Sequence, residues 1–265
     1  MSGPASTPVH PYFDHPGPLA LAHRGFSLDG LENSMAAFAA AVDLGYRYVE
    51  TDVHATSDEV VVAFHDDSLD RVTDSRGLLA ELPWSRVAEA RIGGVEAVPT
   101  LEELLGTWPD LRVNIDVKSP AAIGPVARVI ERTRAHHRVC VASFSDARRR
   151  AVVRRLSAPV ATSGGTRSIA GFRIAAAGHL PALGRAALSG VDCLQVPVRY
   201  GRVTVVTGST VAAAHAAGRQ VHVWTVNDAA QMTELLDLGV DGIVTDRADV
   251  LRDVLVARGA WPSPG

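Results

Sequence analysis

The 265 residues are 47% apolar but only 5% aromatic, so the core has to be built from Ala, Val, Leu and Ile, as buried parallel strands and Ala-rich helices require. A formal charge of −3 with mixed signs gives no basic field for nucleic acid and no polybasic stripe for an anionic membrane, which leaves a small molecule as the favoured partner. No apolar run reaches membrane-spanning length, no basic-then-apolar leader stands at the start, and Cys140 and Cys193 fall inside apolar strand-like runs; together these predict a cytoplasmic protein with reduced core thiols and no stable membrane insertion.

Residues 1–17 carry four prolines and are expected to form a flexible or surface-draped arm. A single domain then spans 18–258, and 259–265 are a tail. Residues 19–22 make a short apolar strand that runs straight into His23, Arg24 and Gly25. Asn33 and Ser34 offer cap chemistry for a helix marked by Met35, Phe38 and Val42 and stopped by Gly45. The pattern over 48–55 predicts a strand with Glu50, Asp52 and His54 on one face and Val49, Thr51 and Val53 on the other. Burying neighbouring carboxylates is costly, and a divalent cation with oxygen ligands relieves that cost; an ion-paired strand is the competing reading. After a polar turn at Ser57, Asp58 and Glu59, the β-branched run 60–64 ends in His65 and Asp66.

Periodicity weakens over 68–98, where turn residues accumulate, so this stretch reads as a small excursion placed to cover a site. Thr100 with Glu103 caps a helix at 101–105. The strand at 112–118 repeats the alternation, with Asn114, Asp116 and Lys118 on one face. It adds a third carboxylate and an amine to the site, or a plain strand ion pair. Further strands begin at Val139, Pro159, Cys193, Gln220 and Gly242, separated by helical stretches, with Ser145 and Asp228 as caps. Eight strands alternating with helices predict a (β/α)8 TIM barrel, with 68–98 as its small insertion. The polar clusters all fall at C-terminal strand ends, the face on which barrel active sites are built. Three such ends are improbable as structural ion pairs and predict a metal-dependent site.

The stretches AHRG and ENS, ETDVHATSD, VVAFHDDSLDRVTD, VPTLEELL, NIDVK, SF at Ser143 and Phe144, VWTVN and GIVTDR occur in this order between residues 19 and 247. With them the chain resembles the glycerophosphodiester phosphodiesterase family of the phospholipase-C-like superfamily. The resemblance implies that His23 and His65 are general acid and base, and that Glu50, Asp52 and Asp116 hold one divalent ion, Mg2+, Ca2+ or Mn2+. It also implies that Arg24 and Lys118 hold the phosphate. Trp224 either lines the glycerol pocket or fills the barrel mouth. The implied reaction is hydrolysis of a glycerophosphodiester to glycerol 3-phosphate and an alcohol. Two positions depart from the family pattern: Asp116 stands where Glu is usual, which bears on metal affinity, and Ser34 stands where Thr is common.

His54 is expected past the strand end, as a loop residue near the site. Glu32 orients Arg24 or favours the helix N-terminus. His136, His137, Arg148, Arg149 and Arg150 read as solvated helix-end residues. Two rival functions share the same site. One is a lysophospholipid phosphodiesterase, with an apolar trough supplied by the 68–98 excursion. The other is a sensor that binds glycerophosphodiesters without turnover, against which the two histidines stand, because binding alone needs neither acid nor base.

Overall fold

The structure is a computed structural model and describes residues 10–262. Its first half contains β1 (Leu19–His23), α1 (Met35–Asp43), β2 (Tyr48–Ala55), β3 (Val61–Ala63), α2 (Trp84–Val87), β4 (Arg91–Ile92), β5 (Glu96–Ala97), α3 (Leu101–Thr107), β6 (Arg112–Val117) and α4 (Ile123–Thr133). The second half continues with β7 (Val139–Ala142), α5 (Asp146–Val153), β8 (Ala161–Thr162), α6 (Thr166–Ala177), α7 (Pro181–Ala187) and β9 (Cys193–Pro197). It ends with the hairpin β10 (Arg199–Tyr200) and β11 (Val203–Thr204), then α8 (Gly208–Ala216), β12 (Gln220–Trp224), α9 (Ala229–Asp237), β13 (Gly242–Thr245) and α10 (Ala248–Ala257).

Eight of the strands pair in parallel in the order β8-β7-β6-β2-β1-β13-β12-β9. The ring closes where Ser163 bridges Cys193 and the Gly164 amide donates to the Cys193 carbonyl at 3.0 Å. This is the expected (β/α)8 barrel, and its order sets β9 diametrically opposite β2. The strand expected from Pro159 begins only at Ala161, since proline has no amide for the ladder. Ser34, Thr100, Ser145 and Asp228 each accept the amide three residues on and start their helices as anticipated. β3 is extra to the ring and pairs antiparallel with the far end of β2 through Val53, His54 and Ala55. His54 is therefore within β2, not beyond it.

Strand parity sorts the side chains. Ala20, Val49, Val53, Val113, Ile115 and Val141 face outward, into the layer packed beneath the helices. The inward set is apolar at the N-terminal end, where Leu19, Leu21, Tyr48, Cys140, Cys193 and Val244 pack with Tyr12 and Phe13. Tyr12 is 0% exposed, its ring meets Tyr48 edge-on at 5.3 Å, and the Tyr48 hydroxyl donates to its carbonyl at 2.6 Å. From His10 onward the expected arm is thus a plug that closes the bottom of the barrel. Burial of each aromatic ring contributes roughly 1.5–3 kcal/mol. Residues 1–9 of that arm lie outside the described residues. At the other terminus Trp261 packs on Tyr46 at 5.1 Å, so the described part of the tail is anchored, and 263–265 lie outside the described residues.

The 68–98 excursion forms its own small core, with Leu69, Leu79, Val87 and Ile92 packed against Val62 and Phe64. Two of the residues expected to be solvated are half-buried, Arg148 donating to the Val117 carbonyl at 2.9 Å and His136 pairing with Glu131 at 3.1 Å, and Arg149 departs further, being 2% exposed. It donates to the Gly190 carbonyl at 2.5 Å and sits 3.6 Å from Asp146. Asp146 in turn accepts from the Gly165, Arg167 and Ser168 amides at the N-terminus of α6, where a carboxylate is favoured. This buried pair locks the N-terminus of α6 against the first turn of α5.

Candidate active site

A cavity of about 520 Å3 opens at the C-terminal end of the barrel, and all eight residues singled out from the sequence line it: His23, Arg24, Glu50, Asp52, His65, Asp116, Lys118 and Trp224. Parallel register is what gathers them. Glu50 lies beside Asn114 and Asp52 beside Asp116 on β2 and β6, while His23 on β1 stands level with Glu50. The turn after β1 is fixed by Arg24 and Gly25, both left-handed at φ 56° and 83°. A Cβ at Gly25 would come within 2.6 Å of the Ala37 backbone, so only glycine lets α1 pack this close.

Two like charges on adjacent strands need cations, and Lys118 Nζ bridges them, at 2.7 Å from Asp52 and 2.8 Å from Asp116. Arg24 Nε adds a charge contact to Asp52 at 2.9 Å, off the hydrogen-bond line. Burial alone would raise the Asp52 carboxyl, but Lys118 and Arg24 outweigh it and hold the group below its usual value. Lys118 is the mirror case: burial opposes its charge, and Asp116 and Asp52 push its ammonium higher. Among the described residues Glu50 has no lysine or arginine ion pair. Burial, then Asp52, push its carboxyl up to about 8, with His23 Nε2 at 3.8 Å and the Arg24 amide at 3.3 Å.

Each histidine is anchored at Nδ1 by a carboxylate. His23 Nδ1 lies 2.6 Å from Asp246, which Asn227 holds at 2.9 Å. Burial would lower this imidazole, but Asp246 and Glu50 more than compensate and it sits above the ordinary histidine value. His65 Nδ1 lies 2.6 Å from Asp66, and His54 Nε2 meets the His65 carbonyl at 3.1 Å, bracing that turn. With Nδ1 engaged, the free nitrogen of each ring is Nε2. Arg71 joins Asp66 at 2.5 Å to Glu32 at 2.7 Å, and Glu32 holds Arg24 Nη1 at 2.9 Å. Glu32 therefore orients Arg24, and one chain of ion pairs links the two histidine turns. Asn33, left-handed at φ 58° and buried, accepts from Thr51 at 2.7 Å and reaches Asp52 at 3.4 Å.

Sequence reasoning overlooked Asp66, Arg71, Asn227 and Asp246 as site residues, although all four sit inside the quoted motifs HDDSLDR, VWTVN and GIVTDR. It also misplaced the apolar trough. The excursion at 68–98 contributes no lining residue; the apolar wall is Phe144 after β7, Ile169 and Ala170 on α6, Val196 and Pro197 on β9, and Val205. Ring closure explains this, since β8 and β9 face the charged strands β2 and β1 across the mouth. Trp224 lines the cavity and meets Phe144 edge-on at 5.9 Å.

The donor chemistry suits a hard divalent cation. Three carboxylates occupy neighbouring rungs, and the uncompensated Glu50 is the group such an ion would relieve. Among the described residues no three acidic, imidazole or thiol side chains stand as a ready-made cluster. The Lys118 ammonium instead lies between Asp52 and Asp116.

Comparison with known proteins identifies the family and the fold. The model of the glycerophosphoryl diester phosphodiesterase family matches residues 23–250. The chain is 48% identical over 255 residues to Probable glycerophosphodiester phosphodiesterase 2 of Mycobacterium tuberculosis, covering 96% of this chain and 97% of that one. Its fold is similar to that of an Oleispira antarctica phosphodiesterase solved in complex with the product sn-glycerol-3-phosphate, with TM-score 0.75, 23% identity, and 90% and 97% of the two chains covered. A glycerophosphodiester phosphodiesterase from Agrobacterium tumefaciens gives TM-score 0.71 at 23% identity, covering 90% and 99%. From the extent of the family match and the identity to the mycobacterial relative, this chain belongs to the glycerophosphoryl diester phosphodiesterase family.

Proposed function

We propose that this protein hydrolyses glycerophosphodiesters to glycerol 3-phosphate and an alcohol with the aid of one divalent ion. The observation that carries the reading is the pair of imidazoles in one cavity, each fixed at Nδ1 by a carboxylate at 2.6 Å. A protein that only bound the diester would need a cationic pocket but no paired acid and base.

Arg24 and Lys118 are the groups suited to the phosphoryl oxygens, where they offset charge as it builds. Glu50, Asp52 and Asp116 would hold Mg2+, Ca2+ or Mn2+, and when bound the ion supplies Lewis-acid polarisation of a phosphoryl oxygen. One imidazole takes, at Nε2, the proton of the substrate's own glycerol hydroxyl. That oxygen bonds to phosphorus as the bond to the leaving alcohol breaks, and the second imidazole gives its Nε2 proton to the departing oxygen. Water opens the resulting cyclic phosphate in the reverse sense, which restores both protonation states. Trp224, which lines the cavity beside Phe144, would flank the glycerol carbons. A cytoplasmic setting is part of the proposal, supported by two buried, unbridged cysteines. Among the described residues no helix is long and apolar enough to cross a membrane.

A second reading, cleavage of lysophospholipids, is favoured by the apolar wall of the same cavity. One panel tests both: glycerophosphocholine, glycerophosphoethanolamine and glycerophosphoglycerol beside 1-acyl lysophospholipids, after chelation and with each ion restored. Glycerol 3-phosphate from the small diesters, lost on chelation and recovered with an ion, is the expected result. Acylglycerol phosphate from the lysolipids alone selects the second reading, and turnover of neither class with any ion overturns both.

A further inference from the structure

We propose that the β10–β11 hairpin and the adjoining rim of the cavity mouth form a docking face for an anionic lipid surface. The near-neutral balance of the whole chain hides a local segregation. Between Gly164 and Thr210 the sequence holds five arginines and a single acid, Asp192, in a chain whose formal charge is −3. Asp192 is occupied at the base of the barrel, where it accepts the amide and hydroxyl of Thr162 at 2.8 and 3.1 Å. Arg167 at the start of α6, and Arg199 and Arg202 on the hairpin, are exposed.

Large apolar side chains are exposed on the same rim. Tyr200 is 79% exposed, Val203 53% and Phe144 59%. Tyr200 and Val203 are direct antiparallel partners, so their side chains share one face of the hairpin. Single exposed apolar residues are ordinary; an aromatic and a β-branched residue side by side, each directly preceded by an arginine, make the two-part signature of peripheral lipid contact.

The rim is also continuous with the site. Tyr200 and Phe144 line the cavity mouth, and the wall runs inward from them through Ile169, Val196 and Val205 toward the strands opposite Arg24 and Lys118. A diester with its phosphate on the charged side would have its apolar part lead along this wall to the hairpin. The purpose of docking thus rests on the phosphodiesterase reading, but docking itself is measured without turnover, so either can fail alone.

The test is cosedimentation of the full chain with equimolar phosphatidylglycerol and phosphatidylcholine vesicles, against pure phosphatidylcholine vesicles, at low and moderate salt. Wild type should bind the anionic vesicles, more weakly as salt rises, and leave the neutral ones mostly unbound. The paired change Arg199→Glu and Arg202→Glu should weaken vesicle binding about tenfold or more, and Val203→Ser should weaken it less, with hydrolysis of glycerophosphocholine and the melting temperature unchanged. Failure of wild type to sediment with anionic vesicles overturns the proposal, as does equal binding to both compositions. Binding that survives the charge reversal overturns it too. So does a concentration-dependent dimer without vesicles that Val203→Ser dissolves, since a second copy would then be the occupant.

Discussion

Asp246 Oδ1 lies 2.6 Å from His23 Nδ1, although 223 positions separate the two residues along the chain. Adjacency of β13 and β1 in the ring is what brings them together, since Ala22 is in register with Thr245. Asp246 is half exposed and adds little to the core, so its replacement reads out positioning. Asp246→Ala should lower kcat about ten- to a hundredfold with little change in KM or melting temperature, because the His23 ring loses its fixed tautomer and orientation. An unchanged kcat would mean that His23 keeps its place without Asp246.

Arg71 gives a prediction with a defined pH window. Its hydrogen bond is the main reason Asp66 is lowered from 3.8 to about 2, and it also helps to depress Glu32 below 4.5. Carboxylates whose folded values are depressed contribute stability above their unfolded values, and that contribution disappears as pH falls through the folded ones. Arg71→Ala should therefore cost about 1 kcal/mol near neutral pH, the upper range for half-exposed pairs, and the deficit should fade between pH 4.5 and about 2. Urea unfolding at several pH values measures this. A deficit that stays constant with pH would assign the effect to packing of the arginine stem.

Asp116 is a proposed metal ligand that is also a partner of Lys118, at 2.8 Å. Asp116→Ala should leave a folded barrel that needs far more divalent ion for half-maximal rate, since loss of an anionic oxygen weakens binding more than it weakens the ring. Asp116→Glu restores the methylene usual in the family, and should keep activity while lowering the ion concentration required. If Asp116→Ala titrates with metal like wild type, Asp116 belongs to Lys118 alone, and Glu50 and Asp52 carry the site.

The parts of the site legible in the sequence were those written in strand periodicity. Alternation over 48–55 and 112–118 put Glu50, Asp52, Asp116 and Lys118 on inward faces, and the structure brings them together. Contacts that depend on ring closure were not legible. Asp246 meets His23, and Arg71 meets Glu32, only after distant strands or loops are side by side. The apolar wall was hidden differently: nothing in their sequence neighbourhoods marks Ile169, Val196 and Val205 as site residues, and only ring closure, with β9 opposite β2, brings them to the cavity. Tyr12 lay in a proline-rich stretch whose composition masked an aromatic plug. Arg149 sits in a run of three arginines that reads as a solvated helix face, and its buried pairing with Asp146 comes from the fold around α6.

The most direct test of the central claim is glycerol 3-phosphate release from glycerophosphocholine by wild type, His23→Ala and His65→Ala, assayed side by side with saturating divalent ion. Both imidazoles line the cavity and each has its Nδ1 held by a carboxylate, so neither should be dispensable. Each substitution should lower kcat by at least about a hundredfold, with the fold intact by melting temperature. Near wild-type turnover by either variant would remove that histidine from the mechanism and contradict the two-histidine account.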